Sequence, residues 1–403
     1  MTGGVPMKGS AGSAPNGRDR WLGVGQSSDR DGSRAGEAAA AQALIADNAQ
    51  LLLVFCSQSY DLDELLGAIN RRSGGVPLIG CSTAGEIATD GPGDAGVVVT
   101  ALGGSGFTVS TASAVNASED LRAAGAAVAH CVPALDGCPN RVLILLTDGL
   151  AGDQQEIVRG AYGVVGANVP LVGGCAGDDL EMRGTFQMHN DRVLRNAVVG
   201  AALGSEAPLG IGVRHGWRRV GEPVVVIHSA NNRVYRLDDS LAVDVYFEHL
   251  DPPADARCDP AAFTRFALTH PLGLSGRSGE EHVRFVEGAN FDDGSIGFVA
   301  EVPQGSLAWF MEGDEASVLE ATSDACADAL AALNGRPPLG LIAFDCVARR
   351  GVLGDVGIST EVSQVAECAG GAPVAGFYTY GEIARIHGQS GFHNQTLVVL
   401  AIG

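Results

Sequence analysis

The residues best placed to do chemistry are two glutamates in matching turns. Residues 76–87 read VPLIGCSTAGEI and residues 372–383 read APVAGFYTYGEI, so Glu86 and Glu382 each follow a glycine at the close of an apolar run. Pro77 and Pro373, Gly80 and Gly376, and Thr83 and Thr379 fall in register. Each run reads as a parallel strand, and open α/β sheets take ligands at the carboxyl ends of such strands. A carboxylate there can bind an amine or a guanidinium, or it can cap backbone amides of the turn. Ser82 and Thr83 stand beside Glu86. Tyr378 and Tyr380 precede Glu382 and alternate, which puts both rings on one side of a strand. Arg349 follows an apolar run ending in Asp345-Cys346. It can pair with a ligand carboxylate or with Glu382. A pocket holding carboxylates and an arginine suits a zwitterion.

Catalytic constellations are harder to assemble from this chain. Ser82 in GCSTAG looks like a nucleophile elbow, but that pattern needs a glycine where Ala84 stands, and a helix after the serine. Here turn and strand follow. Cys175 and Tyr378 hold the Ser82 position in the other copies of the segment. A hydrolase working through the Gly-Glu turns is the enzymatic alternative. Lys8 is the sole lysine, which excludes Schiff-base chemistry and the P-loop lysine. The nine histidines form no H-E-x-x-H or C-x-x-C-H pattern, so zinc and covalent haem are not expected. A b-type haem needs one axial histidine and an apolar slot, and His189 and His393, each followed by asparagine, are the candidates. Nine cysteines without a C-x-x-C pair read as reduced, buried thiols. A net charge of −21 speaks against nucleic acid or an anionic membrane as partner. No run of eighteen apolar residues marks a membrane helix. Residues 1–20 lack the apolar middle of a signal peptide and read as a disordered tail. A cytoplasmic location is therefore expected.

The elements that must position these residues repeat. Upstream of each signature lies another apolar run, LLLVF from Leu51 and LGLIAF from Leu339; a third, VLILL from Val142, precedes a shortened copy, VPLVGGCAGDD from Val169. Between run and signature sits a helical pattern, clearest in Leu62, Leu65, Leu66 and Ile69, with Asp61 as N-cap and Glu64 as its partner. Each unit is strand, helix, strand, then turn, and the two strands are parallel through a crossover connection. After the first unit, residues 97–103 and 107–115 read as a hairpin split by glycines. After the second, Asn190-Asp191 marks a turn between antiparallel strands. The fold class is α/β (α+β): two related domains with mixed sheets flanked by helices. The expected division is residues 1–20, 21–233 and 234–403.

The segments LLLVFCSQSYD, PLIGCSTAGEI, VYRLDDSLAVDVY, LIAFDCVARRGVLG and GFYTYGEIARIHGQSGFHNQTLVVLAI resemble the FIST domain, a bacterial sensory module with an N-terminal and a C-terminal half. The resemblance runs from Trp21 to Gly403. It implies a non-catalytic sensor of small molecules inside the cell, with amino acids proposed as ligands. It also implies an alternative, a haem-binding nitric-oxide sensor that reports to a histidine kinase. The chain shows no fused kinase, so its output is expected to pass through a separate signalling partner. On this reading a cleft between the halves, lined by Ser82, Thr83, Glu86, Arg349, Tyr378, Tyr380 and Glu382, holds a small polar metabolite.

Overall fold

The structure, a computed structural model, describes residues 20–275, 281–386 and 391–403, so the expected tail lies, but for Arg20, outside the described residues. Three units follow one another. The first holds β1 (Trp21–Ser27), α1 (Gly32–Ala43), β2 (Ala49–Cys56), α2 (Leu62–Ser73), β3 (Leu78–Ser82), β4 (Glu86–Ala88), β5 (Gly91–Gly93) and β6 (Val97–Gly103). The second repeats it: β7 (Phe107–Val115), α3 (Leu121–Ala129), β8 (Asn140–Thr147), α4 (Gln154–Val165), β9 (Leu171–Cys175), β10 (Gln187–His189), β11 (Arg192–Leu194) and β12 (Ala197–Ser205). The third opens with β13 (Leu209–Arg214) and then carries an insert. The insert comprises β14 (Arg218–Ala230), β15 (Arg233–Leu237), β16 (Ser240–Leu241), α5 (Ala242–His249), α6 (Pro260–Ala267), β17 (Leu272–Ser275), β18 (Glu281–Arg284), β19 (Val286–Asn290), β20 (Ser295–Phe298) and β21 (Leu307–Glu312). The unit resumes with α7 (Glu315–Ala331), β22 (Gly340–Cys346), α8 (Val347–Cys368), β23 (Val374–Thr379), β24 (Glu382–Arg385), β25 (Phe392–His393) and β26 (Leu397–Ile402).

Each unit organises a six-stranded mixed sheet, in the orders β1-β6-β2-β3-β10-β11, β7-β12-β8-β9-β24-β25 and β13-β26-β22-β23-β4-β5. Within each, the two signature-bearing strands are parallel, as β2 and β3, β8 and β9, β22 and β23. The expected correspondence of residues 51–102 with 339–402 holds in strand direction and order. The last two strands of each sheet come from another unit. The hairpin β10–β11 of unit two completes sheet one, β24–β25 of unit three completes sheet two, and β4–β5 of unit one completes sheet three. Three backbone bonds at equivalent positions seal the crossings: Ala84 N to Tyr378 O (3.0 Å), Gly177 N to Ser82 O (3.1 Å) and Tyr380 N to Cys175 O (3.2 Å).

The strands read as unbroken apolar runs because both faces of each sheet are covered. Inner faces meet in one central core, where Phe55 of sheet one packs on Phe344 and Phe377 of sheet three and near Ile144 and Val172 of sheet two. Alternate residues such as Leu52 and Val54 point outward to α1 and α2. α2 starts where the sequence places it, with the Asp61 carboxylate accepting from the amides of Asp63 and Glu64, and it buries Leu62, Leu65, Leu66 and Ile69. The Asn190-Asp191 turn joins β10 to β11, with Asn190 at φ 56°. The pair at 97–103 and 107–115 is not a hairpin: β6 lies between β1 and β2, while β7 pairs with β12 in the next sheet. The glycines between them carry the chain from one unit into the next, and short-range pattern cannot separate that turn from a hairpin loop.

The insert forms its own sheet around Tyr246, Phe263, Phe298 and Phe310. The expected division at 233/234 falls just after the β14–β15 turn, while β13, ahead of it, pairs with β26 at the far end of the chain.

Close approach makes certain glycines irreplaceable. A methyl on Gly376 would stand 2.0 Å from the Ala343 carbonyl oxygen of the neighbouring parallel strand. Gly376→Ala is expected to lower unfolding stability by about 1–3 kcal/mol through overpacking. Gly163→Ala, on an open face of α4 with nothing nearby, should raise it by about 0.5–1 kcal/mol. Urea denaturation of both variants beside the parent checks the contrast.

Candidate functional site

The two glutamates sit where the chain leaves one sheet for the next. Gly85 (φ 115°) and Gly381 (φ 155°) make the turn in a region that side chains disfavour. Glu86 and Glu382 then open β4 and β24 with their carboxyls folded inward. Glu86 Oε1 lies 2.6 Å from Thr83 Oγ1, and Oε2 accepts from the Gly96 amide at 2.9 Å. Glu382 repeats this, 2.5 Å from Thr379 Oγ1 and accepting from the Thr396 amide at 3.1 Å, with a further bond to the Cys346 thiol. Burial pushes both carboxyls up to about 8, against the pull of those bonds. The hydroxyl–carboxyl contact accommodates either state, since the proton can run from either oxygen.

Unit two has no such glutamate. Asp178 takes the place of the turn glycine, and its carboxylate accepts from the amides of Met182, Arg183 and Gly184 at 3.0, 2.7 and 3.0 Å, and from the Tyr380 hydroxyl. Burial works against the charge, but these donors hold Asp178 below its ordinary range. Tyr380 Oη in turn accepts from Leu180 N at 2.6 Å. The loop so held carries three non-glycine residues in the left-handed region, Asp179, Leu180 and Met182.

Arg349 is fully buried in the first turn of α8. It bonds Asp345 at 2.7 Å, Glu361 at 2.5 Å, Thr322 Oγ1 at 2.8 Å, and the carbonyls of His215 and Val318. Its partners are Asp345 and Glu361 rather than Glu382. Burial, and then the Glu361 charge, raise the Asp345 carboxyl well above its ordinary range. Ser82 Oγ accepts from the Phe186 amide at 2.9 Å inside the packed crossing. Of the seven residues singled out in the sequence, Ser82, Thr83, Glu86, Arg349, Tyr378 and Glu382 are at most 1% exposed. Glu86 also edges a shallow recess beside Ser27 and Pro92. Tyr378 lies under the Arg350 guanidinium, which reaches across to Ala84 O and Asp94.

Tyr380 alone of the seven reaches the main cavity, an apolar trench of about 480 Å³. One wall is the unit-two loop, with Leu180 and Met182. A second is the insert, with Leu268, Phe285 and Val299. The floor is the start of α8, with Cys346, Val347, Ala348 and Gly351, and Asn394 and Tyr380 close it. The trench thus lies beyond the carboxyl ends of β8 and β22. Two more polar recesses adjoin it, one sharing Gly149, Met182 and Glu287 and the other sharing Leu180, Val347 and Gly351. No histidine lines the trench among the described residues. His189 bonds Thr111 Oγ1 and His393 bonds the Ala384 carbonyl. No group of three metal-ligating side chains occurs among the described residues.

The chain matches the FIST N domain over residues 50–240 and the FIST C domain over residues 242–385. The chain belongs to the FIST family. FIST domains are sensory domains of signal transduction. Similar proteins include an uncharacterised protein of Methanocaldococcus jannaschii, 25% identical over 65% of this chain and 54% of its own length. Uncharacterised proteins of two Mycobacterium tuberculosis strains, CDC 1551 and H37Rv, are each 27% identical over 53% of this chain and 56% of their own. The chain therefore spans about half the length of the curated relatives it matches. No helix among the described residues is long and apolar enough to cross a membrane.

The trench residues other than Tyr380 were missed in the sequence. Cys346 and Ala348 were visible only as residues ending a strand, and Asn394 only as the neighbour of His393. Nothing in the repeat announces that the insert folds back over them. Asp178 left a signal, as an acid standing where both other copies keep glycine.

Two outcomes follow from the buried groups. A carboxyl whose pKa rises on folding contributes stability that is fully present below its unfolded value and is lost as pH rises through about 8. Stability should therefore fall between about pH 5 and 8 in the parent, and Glu86→Gln or Glu382→Gln should flatten that slope in denaturation curves taken across the range. Arg349→Met strands two buried acids and should lower stability by about 3–5 kcal/mol near neutral pH, measured by the same curves.

Proposed function

We propose that this FIST chain is a non-catalytic sensory protein that holds a small molecule in the trench beneath the insert and passes the signal to a separate partner. The observation that carries the reading is the trench itself. It is walled by three segments far apart in the chain, at the strand ends where α/β folds take ligands, and its volume falls within the range of about 300–1,000 Å³ usual for such pockets. Catalysis has little to work with there. Ser82 is spent on a backbone amide, and both turn glutamates are committed to their own threonines.

Output runs through the unit-two loop. Leu180 and Met182 are 62% and 59% exposed yet belong to the trench wall. A ligand in contact with both shifts the balance of a loop already held in left-handed backbone by Asp178 and Tyr380. A ligand moves such an equilibrium only by its differential affinity for the two states. The partner that reads this surface is a histidine kinase or another signalling protein.

A thermal-shift screen of amino acids and other metabolites tests the reading. A ligand at a hundred times its dissociation constant adds about 2.7 kcal/mol, and the midpoint rises accordingly. Ala348→Trp, which fills the trench floor, should abolish that rise. A rise that survives Ala348→Trp places the ligand elsewhere.

A further inference from the structure

We infer that the trench takes an amphiphilic organic molecule: an apolar body with one hydrogen-bond donor buried against Asn394, and any charge left at the mouth. The inference rests on the trench being the ligand site and adds the class of ligand.

The lining sorts by depth. Leu180, Met182, Leu268, Phe285, Val299 and Val347 present carbon, so an apolar body gains about 25 cal/mol for each Å² it removes from water there. The polar side chains at the inner end already have partners, with one exception. Tyr380 donates to Asp178 and accepts from Leu180 N. The Cys346 thiol bonds Glu382. Asn394 is 2% exposed and belongs to the same wall, and its Oδ1 has no partner among the described residues. A buried carbonyl oxygen without a donor is destabilising, and a ligand O–H or N–H entering the trench supplies one.

Charge is confined to the other end. Arg265 and Glu287 line the trench and are exposed, so they stay in water and can meet a charged group at the mouth. A compact zwitterion such as a free amino acid, placed at the Asn394 end, would bring an ionised ammonium and carboxylate against carbon, and each would lose water without a counter-charge. The amphiphile keeps its charge outside and loses only the water that its apolar body sheds with gain.

Calorimetry with a matched pair of probes tests the assignment: 2-naphthol, and 2-methoxynaphthalene, which keeps the aromatic body but lacks the donor. The parent should bind 2-naphthol roughly tenfold more tightly, the ratio expected when a buried acceptor goes unpaired. Asn394→Leu should bring the two affinities together, and Ala348→Trp should remove both. Equal affinities in the parent overturn the donor assignment without needing any variant to fold. If neither probe binds while an amino acid raises the parent's midpoint and not that of Ala348→Trp, the trench stands as the site and the ligand class is wrong. Naphthol binding that persists in Ala348→Trp, or no shift from any compound, removes the trench itself.

Discussion

Everything in this molecule depends on hairpins that leave home. Each of the three sheets is finished by a strand pair that its own unit does not supply, and the debt runs in a ring from unit one to three, three to two, and two to one. The main-chain groups on the second parallel strand of every unit, an exposed edge if the unit stood alone, are satisfied only by this exchange. The turn that launches each hairpin is consequently buried where sheets meet, and a buried turn must find partners for its amides. That requirement, rather than ligand chemistry, is what the carboxylates of Glu86 and Glu382 meet through Gly96 and Thr396.

How much of this the sequence disclosed follows from which forces act locally. Apolar periodicity and Asp61 placed α2 correctly, because helix faces and caps are set within a few residues. The repeat of strand, helix and strand was readable because three copies kept their glycines against the same parallel neighbour. What escaped was the destination of each hairpin. Residues 86–88 look the same whether they return to β3 or cross to β23, and the sequence holds no local mark of the difference. The same blindness turned β6 and β7 into an expected hairpin. At the site, Tyr380 was legible as an aromatic beside a conspicuous turn, whereas Asn394 and Ala348 acquire meaning only when the insert folds over them.

The insert and the unit-two loop show how a repeated scaffold becomes asymmetric. Units one and three keep Gly-Glu turns that close tightly on their threonines. Unit two substitutes Asp178, whose carboxylate gathers amides from a longer loop and draws in the Tyr380 hydroxyl from unit three. Departure from the repeat and the opening of the trench therefore occur at the same place. The buried ion cluster of Arg349, Asp345 and Glu361 stands just behind it. It fixes the start of α8, ahead of the break at Gly354, as a rigid floor.

The ring of exchanged hairpins also governs how such a chain is made. Residues 86–93 emerge early from a ribosome, yet their pairing partner, β23, follows nearly three hundred residues later. Until then the first unit carries an unclaimed strand pair, and the third sheet cannot close. Contacts this distant in sequence form slowly, and unpaired strand edges in the interval invite association with other chains. A cut between the FIST N and FIST C regions would leave a strand pair without its sheet on one side and a sheet without its edge on the other. The two halves are inherited as names for stretches of sequence, but neither is a body that can be parted from its neighbour intact.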